Sequence, residues 1–522
     1  MNVFIRFRLR TRALTLVAMP TVCIACGGDS STAPPPVPAT QGLRIVAGSG
    51  LTDTIEAQVT SLLTVEVRQP SGSLAIGTLV RFQAKVVGDS IRRVSSMTVC
   101  PRAEASCLYS RILIVDTTDT QGLARVRVRF GSVAGRAQVR ITVPDYGLVD
   151  SATYAVAAGA PARIVKASAD TGLTFGESAL LRGSVTDRLG NVRVELPQIS
   201  GASDAASIDT LTGVVTGRAF GAQWVLLRYQ TLTDSTWVRA FPAGRLVAWS
   251  TSTEKISLTD VNGRNRRAIA SDVRSVFGAF PQFDPSRQRL TFHRSIFSAS
   301  DAANVVSVLD TTGNVRREIL QADGFTRVLT TRALADGALL VVARRTGVVG
   351  PGANGDGFGV WRVAVDGAIT FVAGIPSLST VVGSTDLSHD GTRVAFSALS
   401  PTGGGELRVL NFVTGAVILV APNCLGSPRW SPQDDRIAFL AGVPDYAVVV
   451  SAQLSVAGAD GSGRRQLSSD VFATGIAWSP DGAYLIASSL RDPVGLRMIR
   501  VSDGATVVLR FSEGSFNQFD WR

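Results

Sequence analysis

Histidine is almost missing from this chain: two residues, His293 and His389, in 522. That argues against a His-based catalytic triad, a His-rich zinc site and a haem pocket. Lysine is nearly as scarce. Only Lys85, Lys166 and Lys255 are found among 52 basic residues, so the positive charge is carried by arginine. Cysteine numbers five and aromatic residues make up 7%. Beyond position 30 no run of 18 apolar residues occurs, so the body of the chain has no segment suited to a transmembrane helix.

What remains is rich in glycine and apolar residues. Gly numbers 51 and Pro 22, 45% of residues are hydrophobic, and mean hydropathy is +0.23. Such a chain is too apolar for disorder and too Gly-rich for long helices. Its length predicts three or four domains. The net charge of +11 suggests nucleic acid as a partner. The arginines, however, are spread along strand-like segments such as Arg125-Val126-Arg127-Val128-Arg129, where alternation marks the wet face of a sheet. No nucleic-acid partner is expected; loose attraction to anionic envelope surfaces fits better.

The first 12 residues are basic, and Ala13 to Ala25 form an apolar run too short to span a bilayer. The run ends in Cys23-Ile24-Ala25-Cys26, followed by a polar stretch and a proline cluster, Pro34 to Pro38. This segment resembles a bacterial lipoprotein signal, although Cys23 stands where that family prefers Leu. The resemblance implies cleavage after residue 25, lipidation of Cys26, and a tether over 26–41. Removal of four arginines with the leader lowers the net charge to +7. Gly27 after the cysteine implies the outer membrane, on its periplasmic or surface face. An ordinary secretory leader is the alternative.

Cys100 and Cys107 lie seven positions apart in a predicted loop. In an oxidising compartment they can form a disulfide worth about 2–3 kcal/mol, or remain two buried thiols. Cys424 is left as a free core residue.

Residues 42–158 show short alternating runs, including Leu63 to Val67, Thr78 to Phe82 and Ala124 to Phe130. Period-two alternation predicts antiparallel sheets. Asp119-Thr120-Gln121-Gly122-Leu123 and the closing Ala157-Ala158-Gly159-Ala160-Pro161 resemble invasin-type bacterial Ig-like domains. In 159–243, Asp187-Arg188-Leu189-Gly190-Asn191 and Gly213-Val214-Val215-Thr216-Gly217 resemble the turn and a later strand of such modules. Two Ig-like β-sandwiches are expected.

From 244 to 522 one unit recurs six times. Its marker residue stands at Phe283, Ala333, Leu387, Trp430, Trp478 and Trp521, at intervals of 50, 54, 43, 48 and 43. A second marker, a turn ending in Gly263, Gly313, Gly367, Gly415, Gly461 or Gly504, keeps the same period. Four strands in such a unit make a propeller blade. Arg245 to Ser250 supplies a strand that Trp521 lacks after it, so N- and C-terminal strands of the repeat region complete one blade and close a six-bladed ring. Trp478-Ser479-Pro480-Asp481-Gly482 and the strand after it resemble the TolB-type repeat; the α/β domain that accompanies this repeat in TolB is absent. The marker aromatics are read as packing between blades.

No catalytic, cofactor or metal residue is nominated. His293, in a predicted strand, and His389, in a turn, are read as structural. No G-x-S-x-G elbow is found. Gly350 to Gly355 matches G-x-G-x-x-G without a following helix, and Asn354 with Asp356 makes only a fragment of a calcium loop. The expected protein is an all-β, non-enzymatic, monomeric lipoprotein. Its propeller, displayed on an Ig-like stalk, takes an envelope protein or peptide, and the lipid on Cys26 holds the membrane. The alternatives are a tunnel-sited glycan lyase or hydrolase and a surface adhesin acting through the Ig-like modules.

Overall fold

The computed structural model describes residues 42–522 except 88–93, 96, 106, 108–110, 251, 275–278, 287, 298–301, 320–323, 346–357, 377–383, 401–403, 443–451, 471, 490–494 and 512–515. Cys26 and the Gly350–Gly355 segment, with Asn354 and Asp356, lie outside the described residues. The chain is all-β: apart from a single 3-10 turn, Pro144–Tyr146, the described elements are strands. No described helix is long and apolar enough to cross a membrane. The chain divides into two compact units, Met1–Ala158 and Gly159–Arg522.

In the first unit two sheets share one core. One sheet is built from Gly42–Ala47, Leu63–Arg68, Leu123–Phe130 and Met97–Pro101. The other runs Thr52–Thr54, Leu148–Ala157, Gly135–Val143, Leu79–Ala84 and Leu113–Thr117. Their alternate residues meet: Val65, Val67, Val126 and Val128 from the first face Phe82, Val139, Ile141 and Ala152 from the second. The strand Leu123–Phe130 turns every second residue fully inward, which leaves Arg125, Arg127 and Arg129 on the wetter face. Arg125 is held there by Asp119, whose carboxyl is lowered to about 2 chiefly by that contact. Cys100 is bonded to Cys107 across a Cα–Cα distance of 5.6 Å. Cys100 is not in a loop, as the sequence suggests, but within the strand Met97–Pro101. That strand pairs with Leu123–Phe130, a long-range partner that local composition does not reveal.

The second unit begins with a smaller sandwich. Its strands Asp170–Thr174, Leu232–Phe241, Gly221–Tyr229 and Gln198–Ser200 form one sheet, and shorter sheets cover it. Leu173, Val215, Val225, Leu227 and Val238 are its buried centre. Asp187 accepts the main-chain N–H groups of Gly159, Leu189 and Asn191, which fixes the Asp-x-x-Gly-Asn turn.

Six four-stranded antiparallel sheets follow. The inner strands are Gln282–Phe283, Phe325–Ala333, Thr385–Leu387, Cys424–Trp430, Phe472–Trp478 and Gln518–Trp521. Each ends on a marker residue. From Phe325–Ala333 round to Gln518–Trp521 these strands touch in succession, and the last touches Gln282–Phe283. The circuit is completed where the strand Arg289–Phe297 meets Phe325–Ala333. Gln518–Trp521 pairs with Arg245–Ser250, with Trp521 opposite Leu246, so one sheet is built from both ends of the repeat region. All six turn glycines have positive φ, from 71° at Gly415 to 100° at Gly313, the conformation that a tight hairpin demands and that glycine adopts freely.

The small sandwich is packed on this ring, and Gly159–Arg522 forms one compact unit. Phe220 and Phe241 enter a cluster with Leu246, Ile486, Leu496 and Trp521. Buried Arg239 donates to Asp170 and to the carbonyl of Val508, both at 2.6 Å, and Arg510 reaches the other oxygen of Asp170 at 3.1 Å. Glu177 accepts from Asn262 and Arg264.

Two predictions follow from buried polar groups. The Tyr154 hydroxyl is buried without a partner, and burial raises its pKa. Tyr154→Phe should therefore be neutral or stabilise by up to about 1 kcal/mol, measured by urea unfolding. Asp170→Asn leaves the Arg239 charge buried without its carboxylate. It should destabilise the second unit by about 3 kcal/mol, read as an early unfolding transition in calorimetry.

Candidate functional site

The inner strands are tied to one another by their marker residues. Trp430 donates its main-chain N–H to Asp386 Oδ2 at 2.9 Å and its indole N–H to the Asp386 carbonyl at 3.1 Å. Trp478 donates its indole N–H to the Arg429 carbonyl at 2.9 Å. Phe283 N–H goes to Asp520 Oδ2 at 2.9 Å. Arg393 and Arg436, from the strand next to each inner strand, lie over Trp430 and Trp478 at 4.6 and 5.2 Å. A serine follows three of the markers and closes the turn there: Ser388, Ser431 and Ser479 Oγ accept from Arg393, Arg436 and Tyr484 N–H. The Trp-Ser-Pro repeat is thus a device for joining sheets.

The residue just before each marker has a different fate. Gln282, Arg332, Asp386, Arg429, Ala477 and Asp520, one from each inner strand, line a single narrow recess. His389, Arg522 and Pro432 are at its edge, with Trp430, Trp478 and Trp521 between the sheets. Arg332 donates to Asp386 Oδ1 at 3.0 Å and to the Leu387 carbonyl at 3.1 Å. Arg429 donates to the carbonyls of Ile476 and Pro428 at 3.2 Å. Its guanidinium also lies 5.5 Å from the centre of the Phe280 ring, on the inner connection three sheets away. Arg429 keeps some water-accessible surface inside the recess, yet it is far from bulk solvent, and that burial lowers its pKa. Phe280 is held at φ 40°, and its N–H donates to Gln518 Oε1 at 2.7 Å. A left-handed phenylalanine is uncommon and marks a constrained backbone at the tunnel wall.

Both histidines belong to this region. His293 is buried, with Nε2 3.4 Å from Thr331 Oγ1 and its ring 6.1 Å from that of Phe280. Burial, with the charge of Arg429 adding to it, lowers its pKa to about 4. His389 has its Nδ1 2.9 Å from Asp434 Oδ1. Burial and the charge of Arg332 lower its pKa against the pull of Asp434. Spacing along the chain nominates no partner for His389; the structure supplies one 45 residues away on the next sheet. Asp434 stands at φ 55°, in the turn position that Gly482 occupies one unit later, and its side chain also accepts the N–H groups of His389 and Asp390.

The recess residues escape a reading that stops at the markers. The signal was present: a fixed period places equal positions at equal heights on a ring, so the six residues before the markers must converge. Among the described residues no three His, Cys, Asp or Glu side chains come together as a metal site.

No protein-family model and no curated protein matches the chain. Among solved structures, TolB from Acinetobacter baumannii is similar, with 13% identity and a TM-score of 0.41 over 62% of this chain and 82% of its own. A DUF4784 family protein from Bacteroides caccae has 9% identity and a TM-score of 0.36, covering 69% of this chain and 99% of its own. An oligogalacturonate lyase in complex with manganese has 16% identity and a TM-score of 0.33, covering 52% and 73%. Similarity of this degree bears on neither activity nor partner, and the chemistry of the recess is taken from this chain's own residues.

The His293 environment makes the ring sensitive to acid. The unfolded chain takes up this proton near 6.5, whereas the folded chain refuses it until about 4. The stability is complete above the unfolded pKa and is lost as pH falls from about 6.5 to about 4. On the order of 3 kcal/mol is at stake. Urea unfolding at pH 7.5 and 4.5 should show a smaller acid loss in His293→Gln than in the unaltered protein.

Proposed function

We propose that the chain is a non-enzymatic cell-envelope lipoprotein, held in the outer membrane by lipid on Cys26. In this reading two Ig-like sandwiches precede a six-bladed, TolB-type β-propeller, and the propeller binds a protein or peptide segment at its central recess. The observation that carries the proposal is the convergence of one side chain from each of six inner strands on a single polar recess. Rigid walls with a few fixed charges suit recognition of an inserted segment. The Cys100–Cys107 bond supports an oxidising compartment.

The enzyme reading draws on the same cluster, since Asp386 and Asp520 line the recess together with arginines. Each of these carboxylates, however, is engaged in holding the frame, Asp386 on Trp430 N–H and Asp520 on Phe283 N–H. A lyase or hydrolase would need at least one of them to leave its structural partner for the substrate.

A photo-crosslinking residue placed at Pro432, at Leu211 in the small sandwich, or at Val413 on the outer rim tests the reading in intact cells. Leu211 and Val413 are 86% and 81% exposed, so they report contacts away from the recess. A discrete protein adduct from position 432 alone is expected. An adduct from 211 alone would favour the adhesin, and glycan turnover abolished by Asp386→Asn would favour the enzyme.

A further inference from the structure

The groups in the recess are not fully matched. Gln282 is only 7% exposed, and its side-chain oxygen has no hydrogen-bond partner. Arg429 is satisfied by two main-chain carbonyls and the face of Phe280, but it forms no ion pair with any carboxylate among the described residues. Both carboxylates of the recess are committed elsewhere. Asp386 holds Arg332 and Trp430 N–H, while Asp520 holds Phe283 N–H, with Arg522 at 3.7 Å. His389 is on the neutral side of its titration at pH 7, since its pKa is lowered. Of the recess guanidinium groups, Arg332 is paired with Asp386 and Arg522 lies near Asp520, which leaves Arg429 as the one without a carboxylate of its own among the described residues.

A buried charge left in this state is costly, and it is relieved by a ligand of opposite sign. We propose that the recess takes one carboxylate of an extended peptide, held by Arg429 and the side-chain amide of Gln282. This rests on the reading that the ring binds a partner segment. A guanidinium presents its N–H groups as a planar fork that fits a carboxylate in two parallel bonds. The Gln282 side-chain amide lines the same recess and offers its N–H groups to the carboxylate. Ala477, the one small residue among the six positions, neighbours Arg429 on the ring and leaves room beside it. The recess is narrow, with about 30 Å³ of room for water-sized groups, so it excludes a folded domain and takes at most a small end group such as a carboxylate. The carboxylate has two possible sources, a free C-terminus or an internal Asp or Glu.

The test is calorimetric titration of the full-length protein with three probes. These are acetyl-tetraalanine with a free C-terminus, its C-terminal amide, and acetyl-Ala-Asp-Ala-amide. The free acid or the Asp peptide should bind about tenfold or more tightly than the tetraalanine amide, and which of the two leads identifies the source. Arg429→Met should abolish the preference. Should that variant fail to fold, Gln282→Leu, which removes an unpartnered buried polar group, should fold and weaken only the carboxylate probes. Equal binding of acid and amide, or a preference that survives Arg429→Met or Gln282→Leu, would overturn the proposal. If no probe binds while position 432 still crosslinks to a protein, the carboxylate site is refuted and the partner-binding reading stands. If neither occurs, both fall.

Discussion

The ring depends on hydrogen bonds that join inner strands of neighbouring sheets at four of its six junctions. A four-stranded sheet has two edges and two faces, and six such sheets could associate in many ways. Here Trp430 N–H and indole N–H both end on Asp386, Trp478 ends on Arg429, and Phe283 ends on Asp520. Each bond crosses from one sheet to its neighbour, is shielded from water, and leaves its donor unsatisfied if the neighbour is displaced. The Arg393 and Arg436 side chains cover the same indoles from the outside. Apolar packing brings the sheets together, but these directional contacts set their order and height.

The recess is a consequence of that construction. The position that supplies a carboxylate or carbonyl to the neighbouring sheet is also the one that faces the axis. Where it is Asp386 or Asp520, its charge is used by the frame. Where it is Arg429, the carbonyl receives Trp478 and the guanidinium Nε reaches the Ile476 carbonyl, while the far end of the guanidinium projects inward to Phe280. Where it is Ala477, nothing projects at all. Structural and binding roles are thus divided among equivalent positions of one repeat, so a symmetric frame carries an asymmetric site.

Much of this was legible in the chain. Each of the six markers ends an inner strand, each turn glycine is left-handed, and the strand Arg245–Ser250 meets Gln518–Trp521. These features are local, periodic and tied to backbone geometry, which is why they are visible in the residues themselves. What was hidden lies between units. The partner of His389 is Asp434, at a turn position where an aspartate replaces the glycine of the next repeat. Cys100 sits in a strand whose partner is distant in sequence. The packing of the small sandwich on the ring runs through Arg239, Asp170 and Arg510, three charged residues that look like ordinary surface. Contacts of this kind depend on which surfaces meet, and no period along the chain encodes that.

The account's central claim is a ring closed by strands from both ends of the repeat region, and amide hydrogen exchange tests it most directly. The N–H groups of Asp520 and Arg522, and that of Val247 opposite Asp520, should exchange as slowly as those of Ile437 and Phe439 in an internal sheet, because each is bonded across the closing strand pair and opening it requires breaking the ring. Rapid exchange confined to 518–521 and 245–250, with the other sheets protected, would show an open ring and contradict the account.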